Sequence, residues 1–201
     1  MTQIVDFYYG IGSRYSYLAS TQIAGLERDT GCRVRWRPFY SKDLMAARRM
    51  DPFIGPPPSG QYETHYRSTD AARWAAFYGI PYKEPDWAAL DWRRYALAAV
   101  AADRLGACVA FSRQLFNAVF GAGTAPTDDA AFARLAEQAG LSGQRLVEMI
   151  DASETATQHQ QTMAEAIAAG VFGVPSFVTD GAMFWGNDRL VLLRHHLGAS
   201  R

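Results

Sequence analysis

Four residues, Ser13-Arg14-Tyr15-Ser16, stand where the strand-like run DFYYG gives way to a helical pattern. In many small α/β proteins a Cys-x-x-Cys redox pair occupies such a junction, but here both sulfur positions hold serine, which disfavours disulfide exchange. The first N–H groups of a helix are unpaired and attract anions. Ser13 could therefore be only a helix N-cap, or its hydroxyl could donate to a thiolate that a bound ligand supplies.

Two stretches near the C-terminal end could also meet a ligand. Val174-Pro175 precedes a β-forming run, and composition favours an ordinary trans proline there, whereas a cis bond could present the Val174 backbone to an extended peptide. Asn187 and Asp188 could only cap a helix, or could hold the carboxylate and ammonium of an α-amino acid. Together with Ser13 they would address a thiol, a peptide backbone and an amino-acid end, and glutathione contains all three.

The composition argues against several classes of protein. The 201 residues include 20 Lys plus Arg and 20 Asp plus Glu, and this zero net charge argues against a nucleic-acid binder or a polybasic membrane protein. There is no signal-peptide pattern and no apolar run near the roughly 20 residues of a membrane span. Neither Cys32 and Cys108 nor His195-His196 has metal-site spacing. We expect a cytoplasmic protein with no metal, no nucleic-acid partner and no membrane segment.

Strands and helices alternate around these candidate residues. QIVDFYY is rich in β-formers, the run from Ser13 is amphipathic with a stop at Gly31, and RVRWRPF alternates like a half-exposed strand. Such a succession predicts a parallel βαβ unit. Later, Asp180-Gly181 between SFVT and AMFW predicts a β-hairpin, and DRLVLLRHHL a last helix capped by Asn187 and Asp188.

A long helical stretch separates the two β-containing ends. Residues from Tyr62 to about Gly170 are dominated by Ala, Leu, Arg, Gln and Glu, and breaks rich in Gly and Pro divide them into several helices. Helix N-caps are expected at Thr127 or Asp128 and at Ser142.

The whole order, β-α-β, then helices, then β-β-α, predicts an α/β protein. Its fold would be a thioredoxin-like core interrupted by a large all-helical insertion. We assign residues 1–45 and 171–201 to the thioredoxin-like domain and residues 46–170 to the helical insertion domain, a size that an ordinary subdomain can have.

The stretches VDFYYGIGSRYSYLA, RWAAFYGIPY, FNAVFGAGTAPTD and GVFGVPSFVTDGAMFWGNDRL resemble the 2-hydroxychromene-2-carboxylate isomerases, which group with kappa-class glutathione transferases and the wider DsbA-like proteins. The resemblance covers nearly the whole chain and implies a homodimer that uses glutathione. It implies isomerisation of a hydroxychromene carboxylate to a trans-o-hydroxybenzylidenepyruvate in aromatic catabolism. By position, Ser13 matches the catalytic serine, Val174-Pro175 the cis-proline dipeptide, and Asn187-Asp188 the residues that contact the γ-glutamyl group.

The chain departs from this family at Arg14, where the family commonly has proline. A cation there could stabilise the thiolate or bind a carboxylate of the substrate. In the loop before the insertion, related enzymes carry a lysine and an asparagine, and here Arg48 or Arg49 falls near the lysine and Phe53 at the asparagine. Arg14, Arg48 and Arg49 are therefore candidates for substrate binding.

The leading hypothesis is a glutathione-dependent cis–trans isomerase in which Ser13 stabilises the thiolate. One alternative is a kappa-like glutathione transferase or peroxidase that acts on small electrophiles. Another is a non-catalytic binding module with a thioredoxin fold. Aromatic residues near the domain junction are expected to shape an apolar substrate pocket, although the sequence does not indicate which ones.

Overall fold

A four-stranded mixed sheet forms the centre of the protein in the computed structural model, which describes residues 2–48 and 64–199. Its strands are β1 (Ile4–Tyr9), β2 (Arg33–Pro38), β3 (Ser176–Thr179) and β4 (Ala182–Trp185). They stand in the order β2-β1-β3-β4, with β1 parallel to β2 and β3 antiparallel to both of its neighbours. The parallel β1–β2 pair confirms the predicted βαβ unit.

Helices account for most of the remaining described residues. They are α1 (Arg14–Thr30), α2 (Ser41–Arg48), α3 (Thr64–Tyr78), α4 (Trp92–Arg104), α5 (Cys108–Phe116), α6 (Asp129–Gln138), α7 (Gly143–Ile150), α8 (Ser153–Ala168) and α9 (Leu190–Ala199). The order of strands and helices confirms the predicted thioredoxin-like core with helices inserted between β2 and β3. Helix α2 spans the predicted boundary at residue 45, and the domain ranges stay a prediction. Within the described ranges, no helix is long and apolar enough to cross a bilayer.

Polar side chains begin several helices where the sequence predicted. The Ser13 side chain caps α1, and Gly31 ends that helix in the left-handed conformation, with φ 67°. Asp128 caps α6 and Ser142 caps α7, each by accepting a backbone N–H of the first turn. These caps fix where the helices begin, so the hydrogen bond of the Ser13 side chain to its own helix places Ser13 at the N-terminus of α1.

Strand β1 is buried on both faces and anchors the core. On one face the Phe7 ring stacks on Phe177, with centroids 4.9 Å apart, and meets the edge of Trp36 at 5.1 Å. On the other face Tyr8 packs in a smaller cluster that includes Phe39. Burial of apolar surface on both sides is the main stabilising contribution to such a strand. The loop that follows β1 and leads to Ser13 therefore starts from a rigid base.

The predicted hairpin is confirmed between β3 and β4. Asp180 and Gly181 form the two-residue turn, with φ angles of 49° and 78°. Positive φ at both positions is characteristic of the turn that matches the twist of the two strands.

The prediction that Asn187 and Asp188 cap the last helix by their side chains is wrong. Instead they are the first two residues of a 3-10 turn, Asn187–Arg189, which runs into α9. The turn follows Gly186, whose φ of 115° suits glycine, and no side chain makes a capping hydrogen bond there. The side chains of Asn187 and Asp188 are therefore not committed to a cap.

Candidate functional site

A cavity of about 900 Å³ lies at the N-terminal end of α1. It is bordered by the β2–α2 connection, by α3, by the segment before α4 and by the residues around β3 and β4. Among its lining residues are the predicted site residues Ser13, Arg14, Val174, Pro175, Asn187 and Asp188. Arg48 closes α2, but its side chain and all of Arg49 and Phe53 lie outside the described residues. The structure thus brings the remaining predicted residues to one place.

Ser13 combines a capping role with a free donor. Its Oγ accepts a hydrogen bond from the Ser16 N–H at 3.1 Å, and its own N–H donates to the Gly10 carbonyl at 3.1 Å. A hydroxyl has one proton to donate besides its lone pairs, so the cap leaves that proton available. The open N–H groups of the first turn lie beside it. This end of α1 can therefore receive an anion.

The Val174-Pro175 peptide bond is cis, the form that the resemblance implied and that composition alone did not favour. Hydrogen bonds hold the chain on both sides: Gly186 N–H donates to the Pro175 carbonyl at 2.9 Å, and Ser176 Oγ donates to the Gly173 carbonyl at 2.8 Å. In the described part of the chain, no hydrogen bond engages the backbone N–H or C=O of Val174. Both groups are available to an extended ligand.

Asn187 and Asp188 offer complementary polar groups to the same cavity. Asn187 is 3% exposed. Its side-chain amide lies beside the Tyr78 hydroxyl; burial raises the pKa of Tyr78, and the Asn187 amide offsets part of this rise. Its Nδ2 atom nevertheless has no hydrogen bond of normal geometry within the described ranges. Asp188 is exposed, and its carboxylate lies 3.3 Å from Nε of Arg189. A buried donor without a partner is costly, so the Asn187 amide is suited to a ligand's acceptor.

Arg14 is buried although it carries a charge. Only 5% of the residue is exposed, its Nη2 lies 2.7 Å from Oε1 of Glu84, and its guanidinium carbon lies 4.7 Å from the centre of the Trp87 ring. Glu84 also accepts hydrogen bonds from Trp87 Nε1, at 2.6 Å, and from the Tyr82 hydroxyl. Burial and this hydrogen bond raise the pKa of Tyr82 far above its ordinary value, so the phenol keeps the proton it donates.

Aromatic residues that the sequence did not single out form a wall of the cavity. The rings of Trp87 and Trp92 have centroids 4.9 Å apart, and Trp92 Nε1 donates to the Trp87 carbonyl at 2.9 Å. A Cβ atom on Gly12 would lie 3.0 Å from Cε3 of Trp92, so the loop before Ser13 passes directly over this ring. The available signal was two tryptophans in EPDWAALDW, a segment without helical periodicity. Trp74 of α3 also lines the cavity, and it packs against the core.

A hydrogen bond between α1 and α3 borders the cavity. The Tyr15 hydroxyl donates to Asp70 Oδ2 at 2.9 Å, and burial together with this carboxylate raises the pKa of Tyr15 to about 12. The charged residues that line the cavity are Arg14, Lys42, Arg67, Asp70, Asp188 and Arg189. Basic groups outnumber acidic ones in this set, which favours an anionic ligand.

Both cysteines lie away from this cavity. Cys32 and Cys108 are buried, and burial raises the pKa of the Cys108 thiol to about 12. A thiol that stays protonated is a poor nucleophile. In the described ranges, no group of three or more His, Cys, Asp or Glu residues is placed to hold a metal ion. The chemistry of this cavity does not draw on the protein's own sulfur.

Comparison with known proteins defines first the class and then the family. The model of the DSBA-like thioredoxin domain matches residues 4–198, nearly the whole chain. A 2-hydroxychromene-2-carboxylate isomerase from Sphingobium xenophagum is 32% identical over 199 residues, which cover 98% of this chain and 99% of that protein. The chain therefore belongs to the 2-hydroxychromene-2-carboxylate isomerase family of DSBA-like proteins, and it is an isomerase.

Solved structures agree with this assignment. A 2-hydroxychromene-2-carboxylate isomerase structure matches with a TM-score of 0.83 and 29% identity, covering 98% of this chain and 95% of that one. The cytosolic disulfide reductase DsbM from Pseudomonas aeruginosa, solved with GSH, matches with a TM-score of 0.63 and 19% identity, covering 97% and 99% of the two chains. The second likeness concerns the fold alone.

Proposed function

We propose that this protein is a glutathione-dependent cis–trans isomerase of 2-hydroxychromene-2-carboxylate or a closely related intermediate of aromatic catabolism. The observation that carries the proposal is the convergence of Ser13, Val174-Pro175 and Asn187-Asp188 on one cavity. The substrate is inferred from the names of the relatives. The aromatic wall and the excess of basic side chains in the cavity suit an aromatic carboxylate.

The groups around the cavity fit glutathione along its length. The Ser13 hydroxyl and the first turn of α1 fit a sulfur anion. The open backbone groups of Val174 fit the peptide of the cysteine residue. The buried Asn187 amide, whose Nδ2 makes no hydrogen bond of normal geometry with the described residues, fits the α-carboxylate of the γ-glutamyl group, and the exposed Asp188 carboxylate fits its ammonium.

When bound, glutathione would supply a sulfur nucleophile whose reversible addition to a conjugated double bond allows rotation about it. Ser13 would hold the sulfur as an anion by donating a hydrogen bond from its hydroxyl group, with the proton staying on the serine oxygen, and the N-terminus of α1 adds to the same stabilisation. The rings of Trp87 and Trp92, inclined at 34° to each other, provide an apolar surface that orients a planar substrate and keeps water from one of its faces.

The proposal is tested by comparing two serine variants in an assay that follows isomerisation with and without glutathione. Ser13→Ala removes the donor to the sulfur and is expected to lower kcat/KM about 100- to 1,000-fold, the usual effect of losing one such donor. Ser16→Ala is the matched control because the Ser16 hydroxyl is buried, has no hydrogen-bond partner among the described residues and does not line the cavity. Its activity should stay within about twofold of wild type.

Two outcomes would contradict different parts of the proposal. Full activity of Ser13→Ala would remove the role of Ser13, and isomerisation at the same rate without glutathione would remove the cofactor. Conjugation or reduction of generic electrophiles without isomerisation would instead favour the kappa-like transferase or peroxidase. Glutathione binding without any turnover would favour a binding module.

The assembly and the location are also proposals. Family resemblance implies a homodimer, which sedimentation at micromolar concentration can check. Cytoplasmic location stays a prediction that fractionation of cells producing the protein can test.

A further inference from the structure

The unusual feature of the cavity is the guanidinium of Arg14, because only some of its N–H donors make hydrogen bonds to the described residues. Glu84 and Trp87 hold it in place, but its Nε and Nη1 atoms are buried and have no hydrogen-bond partner in the described part of the protein. Unpaired donors on a buried cation are energetically costly. A ligand that supplied an acceptor would remove this cost.

The surroundings of Arg14 favour a carboxylate as that ligand. Arginine is well suited to carboxylates because its planar guanidinium presents several donors in fixed directions. Glu84 does not satisfy the whole group, since it contacts Nη2 and shares its own oxygens with Trp87 and Tyr82. The guanidinium also lies over Trp87, beside the aromatic wall where a planar substrate would stack.

We propose that Arg14 recognises the carboxylate of the aromatic substrate and thereby selects anionic substrates over neutral molecules of the same shape. The identity of that substrate rests on the proposed function. This assigns Arg14 to substrate specificity rather than to stabilisation of the glutathione sulfur.

A binding experiment without glutathione tests the proposal independently of turnover. Chromone-2-carboxylate and chromone share a flat ring system and differ in the carboxylate, and quenching of tryptophan fluorescence reports their binding beside Trp87 and Trp92. The wild-type protein is expected to bind the carboxylate about 10- to 100-fold more tightly, the usual contribution of a charged hydrogen-bonded pair. Arg14→Met should bring the two affinities within about twofold and leave the affinity for chromone unchanged.

One further measurement separates this role from a role in binding glutathione. The affinity for glutathione, measured by calorimetry, should be the same in wild type and Arg14→Met. An equal loss of glutathione affinity would overturn the proposal in favour of a cofactor role. A preference for the carboxylate that survives in Arg14→Met would overturn it as well.

A second variant protects the test against misfolding. Arg14→Met leaves the Glu84 carboxylate without its cation, whereas the double variant Arg14→Met/Glu84→Gln removes both charges. Its amide oxygen can still accept from Trp87 Nε1, and its NH2 group can donate to the Tyr82 hydroxyl oxygen. The double variant should also lack the preference, and its retention there would contradict the proposal. The proposed function and the carboxylate site can fail separately. If the wild-type protein showed no isomerase activity but Arg14→Met still lost the preference for the carboxylate, the proposed function would be refuted and the carboxylate site would stand.

Discussion

The two sides of the cavity are built in different ways. The strand-side wall consists of Ser13, Val174-Pro175 and Asn187-Asp188. The aromatic wall consists of Arg14, Trp87 and Trp92, and it is held by Glu84, which pairs with Arg14 without lining the cavity itself. The strand-side wall presents backbone groups and short polar side chains at the ends of strands and helices, whereas the aromatic wall depends on a buried ion pair between distant parts of the chain. The first arrangement suits a cofactor common to many proteins, and the second suits discrimination among substrates.

The largest expected effect follows from removing the charge that holds the aromatic wall together. Glu84→Ala leaves the Arg14 cation buried without its counter-ion and removes the acceptor for Trp87 and Tyr82. Loss of one partner of a buried pair is strongly destabilising, and because Glu84 is partly exposed we expect a loss of about 2–4 kcal/mol. Urea unfolding at neutral pH measures this change in the free energy of unfolding.

The matched control is an ion pair of similar type on the surface. Arg145 and Glu148 lie 3.5 Å apart with side chains 60% and 50% exposed, so Glu148→Ala should cost less than about 0.5 kcal/mol. If Glu84→Ala and Glu148→Ala lowered the free energy of unfolding by similar amounts, burial would not make the Arg14–Glu84 pair more important for stability than a surface pair.

The difference between the walls also explains what the sequence could predict. Ser13 was identified because a strand, a turn and a helix start are local patterns, and the hairpin likewise follows from Asp180-Gly181. The pairing of Arg14 with Glu84 was not predictable, because it depends on how α1 packs against the segment before α4. The sequence therefore offered two roles for Arg14 without showing that part of its guanidinium is already occupied.

Errors in the prediction have physical causes as well. Asn187 and Asp188 have the residue types that cap helices, but the positive φ of Gly186 places them inside the 3-10 turn. Trp87 and Trp92 line the cavity but stand in a segment without helical periodicity, so no local pattern assigned them to its wall. In both cases tertiary contacts decide between roles that the local pattern permits.

A smaller effect is expected on the strand-side wall. Asn187→Ala removes a buried amide donor that makes no hydrogen bond of normal geometry with the described residues, so glutathione should bind about 10-fold more weakly, as expected for one hydrogen bond to a charged group. Calorimetry with wild type and variant measures the change. Stability should fall less than in Glu84→Ala, because no buried charge loses its partner.

The ligand provides the control for this prediction. The dipeptide Cys-Gly carries the thiol but lacks the γ-glutamyl group, so wild type and Asn187→Ala should bind it with the same affinity. An equal loss for glutathione and Cys-Gly would mean that Asn187 shapes the whole wall rather than contacting the γ-glutamyl end.

The smallest effect concerns the connection between β2 and α2, which also lines the cavity. His159 of α8 is 2% exposed, and its Nε2 accepts the Tyr40 N–H at 3.0 Å, which fixes the β2–α2 connection along the cavity. Burial lowers the pKa of His159, although Asp43 opposes the shift and Arg93 adds to it. The folded state therefore binds a proton less readily than the unfolded chain, whose histidine titrates near pH 6.5. The contribution to stability is complete above that pH and is lost as the pH falls through the folded-state pKa.

His159→Gln isolates this contribution, because an amide oxygen can accept the Tyr40 N–H at every pH between 5 and 8. Wild type should lose about 1 kcal/mol more than the variant between pH 7.5 and 5, which is the usual contribution of one hydrogen bond. Urea unfolding across this range measures the difference, and identical pH profiles would show that His159 does not titrate in it.

Since Phe39, Tyr40 and Met45 line the cavity, wild type should also lose affinity for both glutathione and chromone-2-carboxylate at low pH. That joint loss would distinguish the β2–α2 connection from the two walls, because a change in either wall is expected to weaken the binding of only one ligand.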